Sequence, residues 1–232
     1  VTAPFYVSPE QLMQDKAEYA RKGIGRGKSS LVLEYQGGIV LVAENPSSLS
    51  KIGEIYDRIA FSGVGKFSEF DQLRKIGVRY ADVKGYSYSR DDVRAKALAN
   101  AYSQAMGDVF TRELKPLEVE VIVAEVGDPE LAGHENSAIF RVQFDGSISD
   151  HEGYCVIGGT ADDISAHLQS HFRPGLSLAE AVQLGHSALE RSSEGGTAVP
   201  PEHLEVCVLE KSRVGRKFRR LSPAEIQDLL RS

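Results

Sequence analysis

Residues 23–30 read GIGRGKSS, three glycines and two basic residues ahead of a hydrophobic run, and the first question is whether they cradle a phosphate. A Walker loop needs glycine, four residues, then Gly-Lys-Ser/Thr, so that backbone N–H groups curl round the phosphate before the lysine reaches in. Gly27-Lys28-Ser29 supplies the end, but position 22 is Lys22 and Gly23 comes one residue late. A phosphate loop also follows a strand and opens a helix, whereas this segment follows a helical pattern and opens a strand. The dinucleotide fingerprint lacks its last glycine spacing. The reading that fits is a helix exit: glycine ends the helix, basic residues complement its dipole, and the chain turns into a strand.

The other residues able to do chemistry have simpler readings. His167 and His171 lie four apart on a predicted helix, the spacing of a zinc pair, but no glutamate base stands between them in the HExxH manner, so they read as surface residues. Asp91-Asp92 and Asp162-Asp163 stand at helix starts, where capping and the helix dipole account for them. Cys155 and Cys207 sit in the apolar runs YCVIGG and EVCVLE, as small buried hydrophobes of a reducing compartment rather than a disulfide or metal pair. No GxSxG nucleophile elbow is present. Nothing among these residues calls for a cofactor or a metal.

A net charge of −6 over 232 residues argues against a general nucleic-acid binder, and the basic cluster at residues 213–220 reads as a solvated strand face. No run approaches a membrane span and no secretory leader is visible, so a cytoplasmic location is expected.

The elements that must position these residues follow from the period of the apolar pattern. Residues 1–7 are a short apolar terminus, either mobile or packed on another chain. Ser8-Pro9-Glu10-Gln11 then combines a serine cap, a first-turn proline and a capping-box glutamine, opening an amphipathic helix over residues 9–22. The period changes to strands at 31–35 and 39–43, joined by a Gly37-Gly38 turn, with further strands at 52–56 and 59–64. Helices are expected at 67–82 and at 93–112, the second capped by Arg90-Asp91-Asp92. Strands at 118–126, 138–144 and 155–157 follow, and Thr160 caps a helix at 161–170. A helix at 178–192, a loop, strands at 204–209 and 217–220, and a last helix opened by Ser222-Pro223-Ala224-Glu225 complete the chain. Strands arriving in blocks favour antiparallel sheets covered by helices, a layered α+β domain with no dividing linker.

The stretch SPEQLMQDKAEYARKGIGRGKSSLVLEYQGGIVLVAENPSS resembles the N-terminal signature of 20S proteasome α subunits of the actinobacterial type. The likeness continues in order through KIGEIYDRIAF, GKFSEFDQLR, YSRDDV, LANAYSQAMG, KPLEVEVIVAEVG, FDGSISD, GGTADDI and HLEVCVLE, nearly the whole chain. The helix followed by EYARKGIxRGKS is its most specific part, because catalytic β subunits lack it. The resemblance implies an Ntn-hydrolase-like four-layer αββα sandwich with an extra N-terminal helix, residues 8–232 forming one domain behind a gating arm of residues 1–7.

It also implies an inert relative of a protease. Catalytic β subunits begin their first strand with a threonine whose hydroxyl attacks the peptide carbonyl while its free amine and neighbouring groups manage the proton. Aligning the Gly37-Gly38 hairpin places Lys28 where that threonine would stand, with Glu44 at the neighbouring acid position; Thr2 lies far ahead, across the helix. The alternative, an active Ntn amidohydrolase or threonine protease, would need a chain processed to begin at Ser29 or Ser30.

The family's work is otherwise structural. Seven α subunits form each outer ring, the ring seats the catalytic β subunits, and ring-shaped ATPases or other activators insert C-terminal tails into pockets between α subunits as protein substrates pass. By motif, Glu18, Gly27, Lys51 and Lys66 match the tail pocket, and the Lys51 ammonium would pair with the terminal carboxylate, a contact worth roughly 1.5 to 3 kcal/mol. Val1, Thr2, Ala3, Pro4, Phe5, Tyr6 and Val7 would form the gate, with Pro9 and Tyr19 in its stabilising cluster. The Tyr-Asp-Arg motif of archaeal and eukaryotic gates has no counterpart in residues 1–7.

Overall fold

The computed structural model describes residues 8–131, 133–192 and 198–232. The gate residues Val1 to Val7 therefore lie outside the described residues. Helix α1 (Pro9–Gly25) leads into a hairpin of β1 (Ser30–Tyr35) and β2 (Gly38–Glu44), followed by β3 (Ile52–Tyr56) and β4 (Ile59–Gly65). Helices α2 (Phe67–Ser87) and α3 (Ala95–Arg112) come next, then β5 (Val119–Glu125), β6 (Ala138–Val142), β7 (Ile148–His151) and β8 (Tyr154–Ile157). Helices α4 (Ala161–His171) and α5 (Leu178–Ser192), strands β9 (Leu204–Glu210) and β10 (Phe218–Arg220), and helix α6 (Pro223–Arg231) complete the order.

The strands form two antiparallel five-stranded sheets, ordered β10-β9-β2-β1-β8 and β3-β4-β5-β6-β7. Alternate residues of β1 and β2 divide between two apolar layers. Leu31, Leu33, Val40 and Val42 pack on α4, α5 and α6, while Val32, Ile39, Leu41 and Ala43 meet Ile122, Ala124 and Ile139 of the other sheet. The far face of that second sheet, with Phe61, Val121 and Val123, packs on Leu73, Leu98, Tyr102 and Met106 of α2 and α3. Two sheets between two helical layers result. Because the central strands are covered on both faces, they read in sequence as unbroken apolar runs rather than as alternation.

Several local expectations change. Helix α1 runs three residues past Lys22, and Gly23 does not end it: Gly23 lies where a Cβ would come 2.3 Å from Glu118 Oε1, so this glycine admits a neighbour. Ser8 accepts from Gln11 N at 3.2 Å, but the Gln11 amide donates to Asp15, so only half a capping box forms. The hairpin turns on Gln36-Gly37, and Gly38 already pairs with Tyr35. Helix α2 continues five residues beyond Asp82.

Residues Arg90–Asp92 form their own 3₁₀ turn under Ser89, and α3 begins at Ala95, whose N–H donates to the buried Glu125 carboxylate at 2.8 Å. Thr160 does not cap α4 with its side chain; its hydroxyl pairs with Ser29 Oγ at 2.8 Å. Strand β6 ends at Val142, two residues early. Strand β7, a half-exposed edge, lacks the apolar run that announces a strand.

Candidate functional site

The site is assembled around the turn between α1 and β1. Gly27 N–H donates back to Ile24 O at 2.9 Å, closing the helix, so this N–H is engaged within the chain rather than held open for an anion. A Cβ on Gly27 would stand 2.7 Å from Val64 Cγ1 and 3.0 Å from Gly65 N, and glycine lets the turn lie flat against the end of β4. The next residue, Lys28, places its ammonium 2.8 Å from Glu44 Oε1 at the end of β2. Glu44 is held by its own N–H, which donates to Ser29 O at 3.2 Å.

Lys51, just before β3, donates from Nζ to Lys28 O at 2.6 Å. Its backbone is clamped by a carboxylate from the other sheet. Glu205 Oε2 accepts from Lys51 N at 2.8 Å and from Asn45 Nδ2 at 2.7 Å, while Oε1 accepts from Ile52 N at 3.1 Å and from Arg220. Arg220 also donates to Ile52 O at 2.6 Å. Burial lowers the Lys51 pKa to about 8: the loss of hydration outweighs the attraction of Glu44 and Glu205, and the Lys28 ammonium lowers it further.

Lys66, next to Gly65, stands 3.5 Å from Glu69 Oε1, which also takes Lys115 Nζ at 2.8 Å, while Glu69 Oε2 accepts from Glu118 N at 2.7 Å. Burial alone would raise the Glu69 pKa, but these partners outweigh it and hold the carboxyl below its usual range. The turn thus brings Gly27, Lys51 and Lys66 to one end of the sandwich. Glu18 pairs with Lys22 on the exposed face of α1, with no described contact to the other three. Tyr19, half-exposed, carries the Lys115 ammonium 5.7 Å from its ring centroid, and Pro9 occupies the first turn of α1.

The hydroxyls at the head of β1 are both partnered. Ser30 Oγ lies 2.6 Å from Ser62 Oγ and is fully buried, and the buried Ser29 hydroxyl meets Thr160. Both cysteines are buried, and burial pushes each thiol up to about 12. His167 and His171 stack at 4.2 Å, and among the described residues no group of three or more His, Cys, Asp or Glu could hold a metal. The basic cluster at 213–220 is not a free solvated face. Arg216 pairs with Glu54, Lys217 with Asp128, Arg219 with Glu210 and Glu225, and Arg220 with Glu205.

Glu205, Asn45 and Arg220 escaped sequence reasoning because their partners lie up to 168 residues away. One signal was available: a glutamate inside the apolar strand LEVCVLE, where a charge is buried only when paired.

The model of the proteasome subunit family matches residues 24–209. The chain belongs to the proteasome subunit family. It is 52% identical to a protein named proteasome subunit alpha from Kineococcus radiotolerans, over 99% of this chain and 98% of that one. Proteins of the same name from Sanguibacter keddieii and Streptomyces coelicolor are 51% and 50% identical, each over all of this chain and 91% of their own length. The family match and these alpha-type actinobacterial relatives bear out the resemblance, and the two sheets with their helices and leading helix have the expected α+β sandwich architecture. Among the described residues no helix is long and apolar enough to cross a membrane.

Proposed function

We propose that the chain is a non-catalytic α-ring subunit of a proteasome core particle. The observation that carries this reading is the Lys28–Glu44 pair: where a catalytic subunit presents a free N-terminal threonine, this chain has a lysine behind a continuous helix, its ammonium bound to the neighbouring acid. Ser29 and Ser30, the hydroxyls a processed hydrolase would need, are buried against other hydroxyls, and among the described residues no histidine or lysine base touches either one.

In this reading seven copies form a ring, residues 1–7 act as the gating arm before a single domain of residues 8–232, and Pro9 and Tyr19 support the gate. Tails of a ring ATPase or similar activator reach Lys51, with Glu18, Gly27 and Lys66 around it, and protein substrates pass to β subunits in the cytoplasm. The tail's carboxylate has in Lys51 an ammonium bonded, among the described residues, only to a backbone carbonyl, while Lys28 and Lys66 are tied to carboxylates. The seat for a partner ring is supported by α2, where Ile76 and Val83 stand about half-exposed beside the more exposed Tyr86 and Tyr88.

Native mass spectrometry of the chain alone and with its cognate β subunit, coupled to hydrolysis of a fluorogenic peptide, tests the assignment. A silent α chain that forms seven-fold rings and yields an active particle with β is the expected result. Hydrolysis by purified α chain alone, surviving controls for contaminating peptidase, would make it an enzyme.

A further inference from the structure

We propose that Lys51 is an Nε-acylation site, taking the acyl group of an activated donor of the acyl phosphate or acyl thioester class. The geometry is that of a held and unneutralised amine. Lys51 Nζ donates one N–H to Lys28 O at 2.6 Å, which leaves its lone pair free whenever the group is neutral. Among the described residues no carboxylate pairs with it, because those nearby are already engaged: Glu44 holds Lys28, and Glu205 takes the N–H groups of Lys51 and Ile52, the Asn45 amide and Arg220. The charged groups facing it are therefore one ammonium, Lys28, and two occupied carboxylates.

Other lysines at this end of the fold are tied differently. Lys66 shares Glu69 and Lys115 bridges Glu69 and Glu118, whereas Lys16, held like Lys51 by a backbone carbonyl, Phe110 O, is only 6% exposed and closed to an acyl donor. Lys51 combines partial burial, a fixed position and no neutralising partner. Its lowered pKa, about 8, leaves a large neutral fraction at physiological pH, and only the neutral amine attacks a carbonyl.

In the step, the Nζ lone pair forms the new N–C bond to the acyl carbon, the C–O bond to phosphate or the C–S bond to the thiol breaks, and phosphate or thiolate leaves. The nitrogen's extra proton goes to solvent. The resulting amide carries no charge, so acylation would remove the cation offered to an activator's carboxylate; this consequence rests on the docking reading above, whereas the reactivity does not.

The test exposes the purified full chain to acetyl phosphate in one arm and acetyl-CoA in the other, at pH 7, 8 and 9, with initial rates at each lysine read by peptide mapping. Exposed Lys96 is the internal reference. With a pKa of about 8, the Lys51 rate rises about fivefold from pH 7 to 8 and less than about twofold from 8 to 9, whereas an ordinary lysine gains about tenfold per unit. At pH 8 Lys51 should react several-fold faster than Lys96. Reaction in the acetyl phosphate arm alone assigns the acyl phosphate as donor, and reaction in both extends it to thioesters. A Lys51 rate no faster than Lys96 in both arms overturns the proposal.

Lys28→Met removes a repelling ammonium and frees Glu44, so it should slow Lys51 acylation at pH 8 and move the plateau upward; an unchanged profile also counts against it. Binding of a synthetic activator-tail peptide to unmodified and acetylated rings separates the two readings. Preferential acylation without loss of binding defeats docking at Lys51 alone. Tail binding abolished by Lys51→Ala, without preferential acylation, defeats this proposal alone.

Discussion

Single residues at the head of β1 decide what this end of the molecule can do. Glu205 has four partners in one buried carboxylate, two of them backbone N–H groups of the opposite sheet. Removing one partner of a buried charge cluster strands the others, a loss of about 3 to 5 kcal/mol. Glu205→Ala should therefore lower the free energy of unfolding, read by urea denaturation, by that amount, and a value within about 0.5 kcal/mol of the parent would show that the clamp is ornamental. Lys51 makes a separate prediction through its charge. Its ammonium is present below its pKa of about 8 and lost above it, so binding of a carboxylate-ended activator peptide should weaken as pH rises from 7 to 9. Fluorescence anisotropy with an amidated peptide as control reads this, and pH-independent binding would remove Lys51 from the proposed docking site.

At the scale of elements, helix starts sort into those written locally and those supplied from a distance. Helix α6 has a complete capping box: Ser222 Oγ accepts from Glu225 N, and the Glu225 carboxylate accepts from Ser222 N. Ser222→Ala should cost about 1 kcal/mol, read by chemical denaturation. Thr160 stands at the same position of α4 but spends its hydroxyl on Ser29, so Thr160→Ser, which keeps that bond, should be nearly neutral. A loss of more than about 1 kcal/mol would mean that the Thr160 methyl, not its hydroxyl, secures the turn.

This division explains what the sequence made legible. The apolar runs of β1, β2, β5 and β9 announced themselves because both their faces are buried, and Ser-Pro marked α1 and α6 correctly because those caps lie within three residues of the helix. The start of α3 was hidden because its cap, Glu125, comes from a strand thirty residues on. Strand β7 was hidden because an edge pairs through its backbone and needs no apolar side chains. In the candidate site, Gly27, Lys51 and Lys66 were named from family motifs and do converge on one turn, whereas spacing alone could not have found the Glu205 clamp.

For the whole molecule, the outer face of α2 is the clearest asymmetry. Val83, 61% exposed, and Tyr88, 79% exposed, line a cleft of about 670 Å³ together with Arg79 and Lys84. An apolar surface with a basic rim suits a partner helix carrying an apolar ridge and acidic flanks. Val83→Glu, on a face that contributes nothing to the interior, should leave the isolated chain's melting unchanged while reducing its assembly with β subunits in native mass spectrometry. Full assembly of the variant would count against the outer face of α2 as the proposed seat.

The polar contacts that cross between the two sheets have a mechanical meaning. Ser30 of β1 meets Ser62 of β4, and Glu205 of β9 grips the start of β3, so the greasy layer between the sheets is pinned at one end by groups that tolerate only one alignment. Apolar surfaces alone slide over one another with little resistance, whereas these pins would have to break together before either sheet could shift by a residue. Pulling or pushing at the α1–β1 turn, where Lys51 bonds to Lys28 O, is consequently transmitted to both sheets at once rather than absorbed as slip between them.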